Sequence, residues 1–232
     1  LAALVGTAAL LVTAATLQAH ELTAPLRVLQ WNVGTLNPWS MRLPASSEAR
    51  VIDTIADVAP HVVTLQEVRS IAQIDRLRAG LAARGLRYEA HPLVIDASHA
   101  DGLLVILSRE PVVTRRTLST AVGFECQAVD LGGLWIVGIH APTGSDPGPR
   151  ARFFREVLAW SAQLPGPCVL AGDLNLGPHG GAGLAGVLPW LRRGDRATYQ
   201  RLTAAFPTYT SVGSTTAYFM PLDHVLGRDV RL

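Results

Sequence analysis

Hydrophobic and polar residues alternate along this chain in two rhythms. Arg27–Val33 (RVLQWNV), Val62–Gln66, Gly102–Ser108 (GLLVILS), Val112–Thr117, Phe124–Asp130, Leu134–Ile139, Cys168–Ala171 and Leu222–Leu226 are short, apolar and rich in branched residues. Runs of that length bounded by Gly, Pro and Asp predict strands. Between them the apolar positions recur every three or four residues. A helix from Ser46 or Ser47 to Val58 would place Val51, Ile55 and Val58 on one face, with Ile52 and Ala56 beside them. A serine caps it and Pro60 stops it. Ile71–Arg84 sets Ile71, Ile74, Leu77 and Leu81 towards a core and its arginines towards water. Pro149–Gln163 is a third helix, with proline in its first turn. The four strands from Gly102 to Ile139 follow one another through tight Gly/Pro punctuation, which predicts antiparallel neighbours. Strands and helices mixed in this way imply sheets covered by helices, an α/β layered domain. There is no internal repeat and no low-complexity segment.

Composition narrows the class. The 232 residues are 49% hydrophobic and 16% charged, the reverse of a disordered chain. Twenty basic against 18 acidic residues give a net charge of +2, too little for a dedicated duplex-DNA binder. All the basic residues are arginine. Arg150, Arg152 and Arg155, and Arg192, Arg193 and Arg196, could draw in a polyanion, but solvated helix faces are the preferred reading. Cys126 and Cys168 cannot build a disulfide framework or a four-cysteine zinc site, and their apolar surroundings favour two buried thiols.

The opening is different. Leu1–Ala19 carries no charge, and nineteen helical residues would rise about 28 Å, close to the thickness of a hydrocarbon core. Residues 1–20 are therefore expected to be a membrane-spanning helix, ahead of a signal peptide cleaved after Leu17-Gln18-Ala19 or a buried helix. The protein would then be membrane-anchored or secreted, with residues 21–25 as a linker and 26–232 as the functional domain, expected to be monomeric.

Polar residues that interrupt or close the strands are candidates for chemistry. Asn32 ends the first strand, where an amide can offer its oxygen to a metal or orient a carboxylate. Glu67 follows Val63 and Leu65 at alternate positions and would continue their buried row, where a charge needs a partner or a metal. His140 closes the strand Leu134–Ile139, whereas His61, His91 and His99 look like surface residues. Asp173 and Asn175 stand two apart after an apolar strand, so extended backbone would project both to one side. A turn pair is the competing reading. In Asp223-His224 the side chains must point to opposite faces, and Asp223 is expected to face inward and orient another group.

Taken in order, RVLQWNV, VVTLQEV, GLLVILSREPV, LWIVGIHAPTG, CVLAGDLN and PLDHVLG resemble the endonuclease/exonuclease/phosphatase superfamily, which has the deoxyribonuclease-I-like fold. The resemblance runs from about Leu26 to Gly227. It implies a four-layer α-β-β-α sandwich with two facing mixed, mainly antiparallel sheets, and Mg²⁺-dependent hydrolysis of a phosphoester. Glu67 resembles the metal-binding glutamate and Asn32 its neighbour; oxygen ligands of this kind suit Mg²⁺ or Mn²⁺. His140 resembles the histidine that stabilises charge on the phosphate, Asp173 the residue that activates water, and Asn175 its phosphate-binding partner. Asp223 resembles the aspartate that orients a final histidine, carried by a Ser-Asp-His motif about a strand further on, so the domain is expected to lack its last strand. The leading expectation is a phosphodiesterase of nuclease type acting by in-line attack of water. A phosphatase or phospholipase of inositol-phosphate or sphingomyelin type stands second, and an inactive membrane-tethered binding domain third.

Overall fold

The computed structural model describes residues 11–15, 25–34, 45–94, 102–144, 146–177, 180–181, 192–210 and 223–230. One sheet is built from β1 (Leu11–Ala15), β2 (Leu26–Asn32), β3 (Val62–Val68), β4 (Glu89–Val94) and β5 (Leu103–Ser108). Its spatial order is β1-β2-β3-β5-β4, antiparallel except for the β2–β3 pair. The second sheet contains β6 (Thr114–Ser119), β7 (Glu125–Asp130), β8 (Trp135–His140), β9 (Cys168–Asp173), β12 (Thr208–Thr210) and β13 (Asp223–Arg228), with β10 (Leu176–Gly177) and β11 (Gly180–Gly181) forming a separate short ribbon. The order is β12-β13-β9-β8-β7-β6, and again one pair, β8–β9, is parallel.

Three apolar layers hold four structural layers together. α1 (Ala45–Val58) and α2 (Ile71–Ala82) bury Val51, Ile55, Ile74, Leu77 and Leu81 against Leu29, Val63, Leu65 and Val105 of the first sheet. α3 (Pro147–Ser161) and α4 (Arg192–Ala205) bury Phe153, Phe154, Val157 and Leu202 against Val137 and Leu170 of the second. Between the sheets, Val28, Val62 and Ile106 meet Ile136, Val169, Ala171 and Val225. Alternation therefore assigns each strand residue to a helix-facing or a sheet-facing layer. The four-layer α-β-β-α sandwich is the expected architecture.

Several expectations need correction. Leu11–Ala15 is a strand paired with β2, so the membrane-spanning helix expected over Leu1–Ala19 does not form there. Among the described residues no helix is long and apolar enough to cross a membrane. The rest of that segment, its cleavage site and residues 21–24 of the linker lie outside the described residues. The four successive strands are not all neighbours: β5 belongs to the first sheet, and only β6, β7 and β8 form a meander. Glu110 to Val113, with Pro111, carries the chain from one sheet to the other, a crossing that apolar pattern alone does not encode. β4 and α4 are additional elements. Pro92 disguises β4, an edge strand where a missing amide hydrogen is tolerated. Ile71 is 48% exposed because it precedes the packed stripe of α2. His91 is buried, and burial pushes its pKa down. His61 accepts from the Arg27 amide, and His99 lies outside the described residues. Cys126 and Cys168 are buried free thiols; burial pushes Cys168 up to about 12 and Cys126 higher.

Candidate active site

The candidate residues collect where the C-terminal ends of β2, β3, β8 and β9 meet the start of β13. On the second sheet they occupy one rung. His140 is the register partner of Asp173 in the parallel β8–β9 pair, and Asp173 is the partner of Asp223 in the antiparallel β9–β13 pair. All three belong to rows that lie between the sheets: His140 and Asp173 follow Ile136 and Ala171, and Asp223 opens the row that continues with Val225. Gly172 makes this close pairing possible, because a Cβ there would overlap the Ile139 carbonyl of β8. His224, one residue from Asp223, faces the opposite layer, with its ring 5.4 Å from that of Tyr199 on α4. That placement agrees with the expectation that Asp223 alone of this pair faces inward.

The first sheet delivers its residues by another route. Strict alternation would have sent Glu67 after Val63 and Leu65, which face the helices. A β-bulge between Leu65 and Val68 breaks the register, and Glu67 has a left-handed φ of 58°. The extra residue turns Glu67 towards the cleft and returns Val68 to the helix-facing layer. The expectation of a buried row at Glu67 was therefore wrong in its geometry. The start of α2 directly behind the bulge is fixed: Ser70 accepts from the Gln73 amide at 3.2 Å, and Gln73 Oε1 accepts from the Arg69 amide at 2.8 Å.

Asn32 joins the two sheets. Its Nδ2 donates to Glu67 Oε1 at 2.9 Å and to Asp173 Oδ2 at 2.9 Å, while its Oδ1 accepts from the Gly34 amide. The amide thus orients carboxylates, one of the two roles open to it from sequence. His140 Nε2 lies 3.8 Å from Glu67 Oε1. Asp173 Oδ1 accepts from the Asn175 amide at 2.8 Å, and Asn175 Nδ2 donates to the Ala141 carbonyl at 2.8 Å. Asn175 has a left-handed φ of 49°, so extended geometry ends at Asp173 and the pair is a turn as well as a site. Burial pushes the Asp173 carboxyl up to about 6; hydrogen bonds from Asn32 and Asn175 oppose this, and the Glu67 charge adds to it.

Behind His140, Arg150 is fully buried, and so is Asp195. Arg150 donates Nε and Nη2 to the two oxygens of Asp195 at 2.9 and 2.8 Å, and Nη1 to the Gly144 carbonyl at 2.6 Å. This arginine is neither a polyanion attractor nor a solvated helix residue; it ties α3, α4 and the loop after His140 together. Arg152, Arg155 and Arg196 are exposed. Sequence reasoning also passed over Gln30 and Gln66, both buried on the inward faces of β2 and β3. The available signal was a polar residue two before Asn32, on the same face as Leu26 and Val28.

Residues for a hard cation are present. Glu67 Oε2 is buried and has no hydrogen-bond partner, an arrangement that a bound cation would relieve. Among the described residues no three His, Cys, Asp or Glu side chains gather into a metal cage. One carboxylate with an amide beside it fits an ion such as Mg²⁺, which keeps several of its waters.

Comparison with known proteins adds an independent view. The model of the endonuclease/exonuclease/phosphatase family matches residues 29–232. A search of curated proteins gives no match. Among solved structures, the endonuclease/exonuclease/phosphatase from Beutenbergia cavernae DSM 12333 is similar over 87% of this chain and 64% of its own, at 22% identity and a TM-score of 0.64. The endonuclease/exonuclease/phosphatase family protein from Leptotrichia buccalis C-1013-b is similar over 89% of both chains, at 12% identity and a TM-score of 0.65. The human Nocturnin catalytic domain with bound sulfate anion is similar over 87% and 81%, at 15% identity and a TM-score of 0.55. These likenesses concern the fold. The chain spans 64% of the length of the Beutenbergia protein.

Proposed function

Because the chain belongs to the endonuclease/exonuclease/phosphatase family, we propose that it hydrolyses a phosphoester, in first place a phosphodiester, with the help of a divalent cation. The observation that carries this reading is Asn32, which bridges Glu67 and Asp173 from opposite sheets. It brings a half-buried carboxylate, whose Oε2 is buried and unmet, next to a second carboxylate of raised pKa.

Glu67, with Asn32 beside it, would hold Mg²⁺ or Mn²⁺, and the cation when bound would neutralise negative charge on the phosphoryl group. The remaining chemistry belongs to the chain. Asp173 is held at both oxygens, one by Asn32 and one by the Asn175 amide, so its orientation is set before substrate arrives. In its ionised form it takes the proton of the attacking water. His140 donates to a phosphoryl oxygen as that oxygen gains charge. Asn175 uses one amide hydrogen on the Ala141 carbonyl and directs the other to the phosphoryl group. Asp223 completes the acidic rung beside Asp173.

The test is hydrolysis of bis(4-nitrophenyl) phosphate, plasmid DNA, sphingomyelin and inositol phosphates with Mg²⁺ and after chelation. The expected result is cation-dependent turnover of a diester that Glu67→Gln and Asp173→Asn each abolish without unfolding the protein. Cation-dependent turnover retained by both variants would end the assignment, and turnover of a monoester alone would move it to a phosphatase.

A further inference from the structure

The chemistry above gives no role to Gln30. This residue lies on β2 two positions before Asn32, on the same inward face, and is 3% exposed. An amide sealed between apolar sheets is costly unless its polar atoms are met. Gln30 Nε2 donates to Asp223 Oδ1 at 2.7 Å across the gap between the sheets, and to Gln66 Oε1 at 2.8 Å on the adjoining strand. Turning the amide over would set its oxygen against two other oxygens, so the network admits one orientation.

Asp223 and Asp173 are direct cross-strand neighbours, which puts their Cβ atoms roughly 5 Å apart. Like charges at that spacing repel and disturb each other's protonation unless each is held by a donor. Each is held from the same strand of the facing sheet. Asn32 donates to Asp173 and Gln30 donates to Asp223. The two-residue period of β2 places both amides over the acidic rung. We propose that Gln30 is a positioning residue for Asp223, doing for that carboxylate what Asn32 does for Asp173. The inference rests on the hydrolytic reading of the site. It fixes the plane of the Asp223 carboxylate beside Asp173.

The experiment is a double-mutant cycle on the full chain with Mg²⁺ and bis(4-nitrophenyl) phosphate. Gln30→Met keeps the side-chain volume and removes both donated hydrogens; Gln30→Leu is the second choice should the methionine variant fold poorly. Gln30→Met is expected to lower kcat about 10- to 100-fold while leaving KM near its original value. In an Asp223→Ala background the same change should leave kcat unaltered, because no carboxylate remains to be oriented. An equal loss in both backgrounds would mean a purely structural role and would overturn the proposal. A second readout needs neither activity nor metal. Asp223→Ala should move the Gln30 side-chain amide resonances in a nitrogen–proton NMR spectrum of the metal-free chain, and unmoved resonances would overturn the proposal. If the unaltered chain hydrolyses no phosphoester, the hydrolytic reading fails by itself, and the amide resonances still decide whether Gln30 holds Asp223.

Discussion

The two sheets reach one cleft by opposite means. On the second sheet, His140, Asp173 and Asp223 sit on a single rung of regular strands, as simple members of apolar rows. On the first sheet, Glu67 arrives only because a bulge and a left-handed backbone turn it away from the helices. The rung gains its site residues at no cost in backbone conformation. The bulge holds a non-glycine residue in a region that costs roughly 1–2 kcal/mol, whereas on the second sheet the left-handed backbone falls only after the rung, at Asn175, a residue type that tolerates it better.

Breaking the rung should have the largest effect. Asp173→Asn removes the carboxylate proposed to take the proton of the attacking water but keeps the shape, and kcat is expected to fall about 10²- to 10⁴-fold, measured as Mg²⁺-dependent diester hydrolysis. The support behind the rung comes next. Asp195→Asn would leave the Arg150 guanidinium buried without a counter-charge, at a cost of about 3–5 kcal/mol in urea unfolding. A matching loss from Glu48→Gln, whose arginine partner is exposed, would contradict this contrast.

The acidic side of the rung also sets a pH dependence. The Asp173 carboxyl is raised from 3.8 to about 6 in the folded chain, so over that window the folded state binds more protons than the unfolded one. Its contribution to stability is full below 3.8 and is lost as pH rises through about 6. Urea midpoints of the metal-free protein should decline across that window, and Asp173→Asn should flatten the decline. A cation at Glu67 would offset the charge that helps to raise Asp173, so saturating Mg²⁺ should move the decline to lower pH. The smallest effect belongs to the bulge. Glu67→Gly is expected to be about 1 kcal/mol more stable than Glu67→Ala in chemical denaturation, because only glycine takes a φ of 58° without strain. Equal stabilities would mean that the bulge relaxes when its carboxylate is removed.

The same contrast marks where sequence reasoning worked. The layers were legible because strands such as Cys168–Ala171 and helices such as Ile71–Ala82 carry one dominant period each. His140 and Asp173 were legible as strand-end residues, because regular extension carries a row of side chains on to its end, and the inward face of Asp223 was legible from its alternation with His224. Glu67 stands out in sequence as a charge after an apolar run, yet alternation alone points it at the helices; the bulge is a tertiary event with no mark in VVTLQEV. For Asn175 extended geometry and a turn were both open from sequence, and the turn is what holds it. Arg150 looked like a surface helix residue because its partner lies 45 positions away. The assignment of β5 to the other sheet was hidden for a related reason, since local punctuation does not say which sheet a strand joins.

The position least free to vary in this cleft contributes no chemistry. Any side chain at Gly172, even a methyl group, would press on the Ile139 carbonyl and prise β8 from β9. Directed evolution can vary the candidate groups on either flank, which Asn32 and Gln30 couple to one another. It must treat this bare backbone unit as the immovable hinge pin on which their alignment hangs.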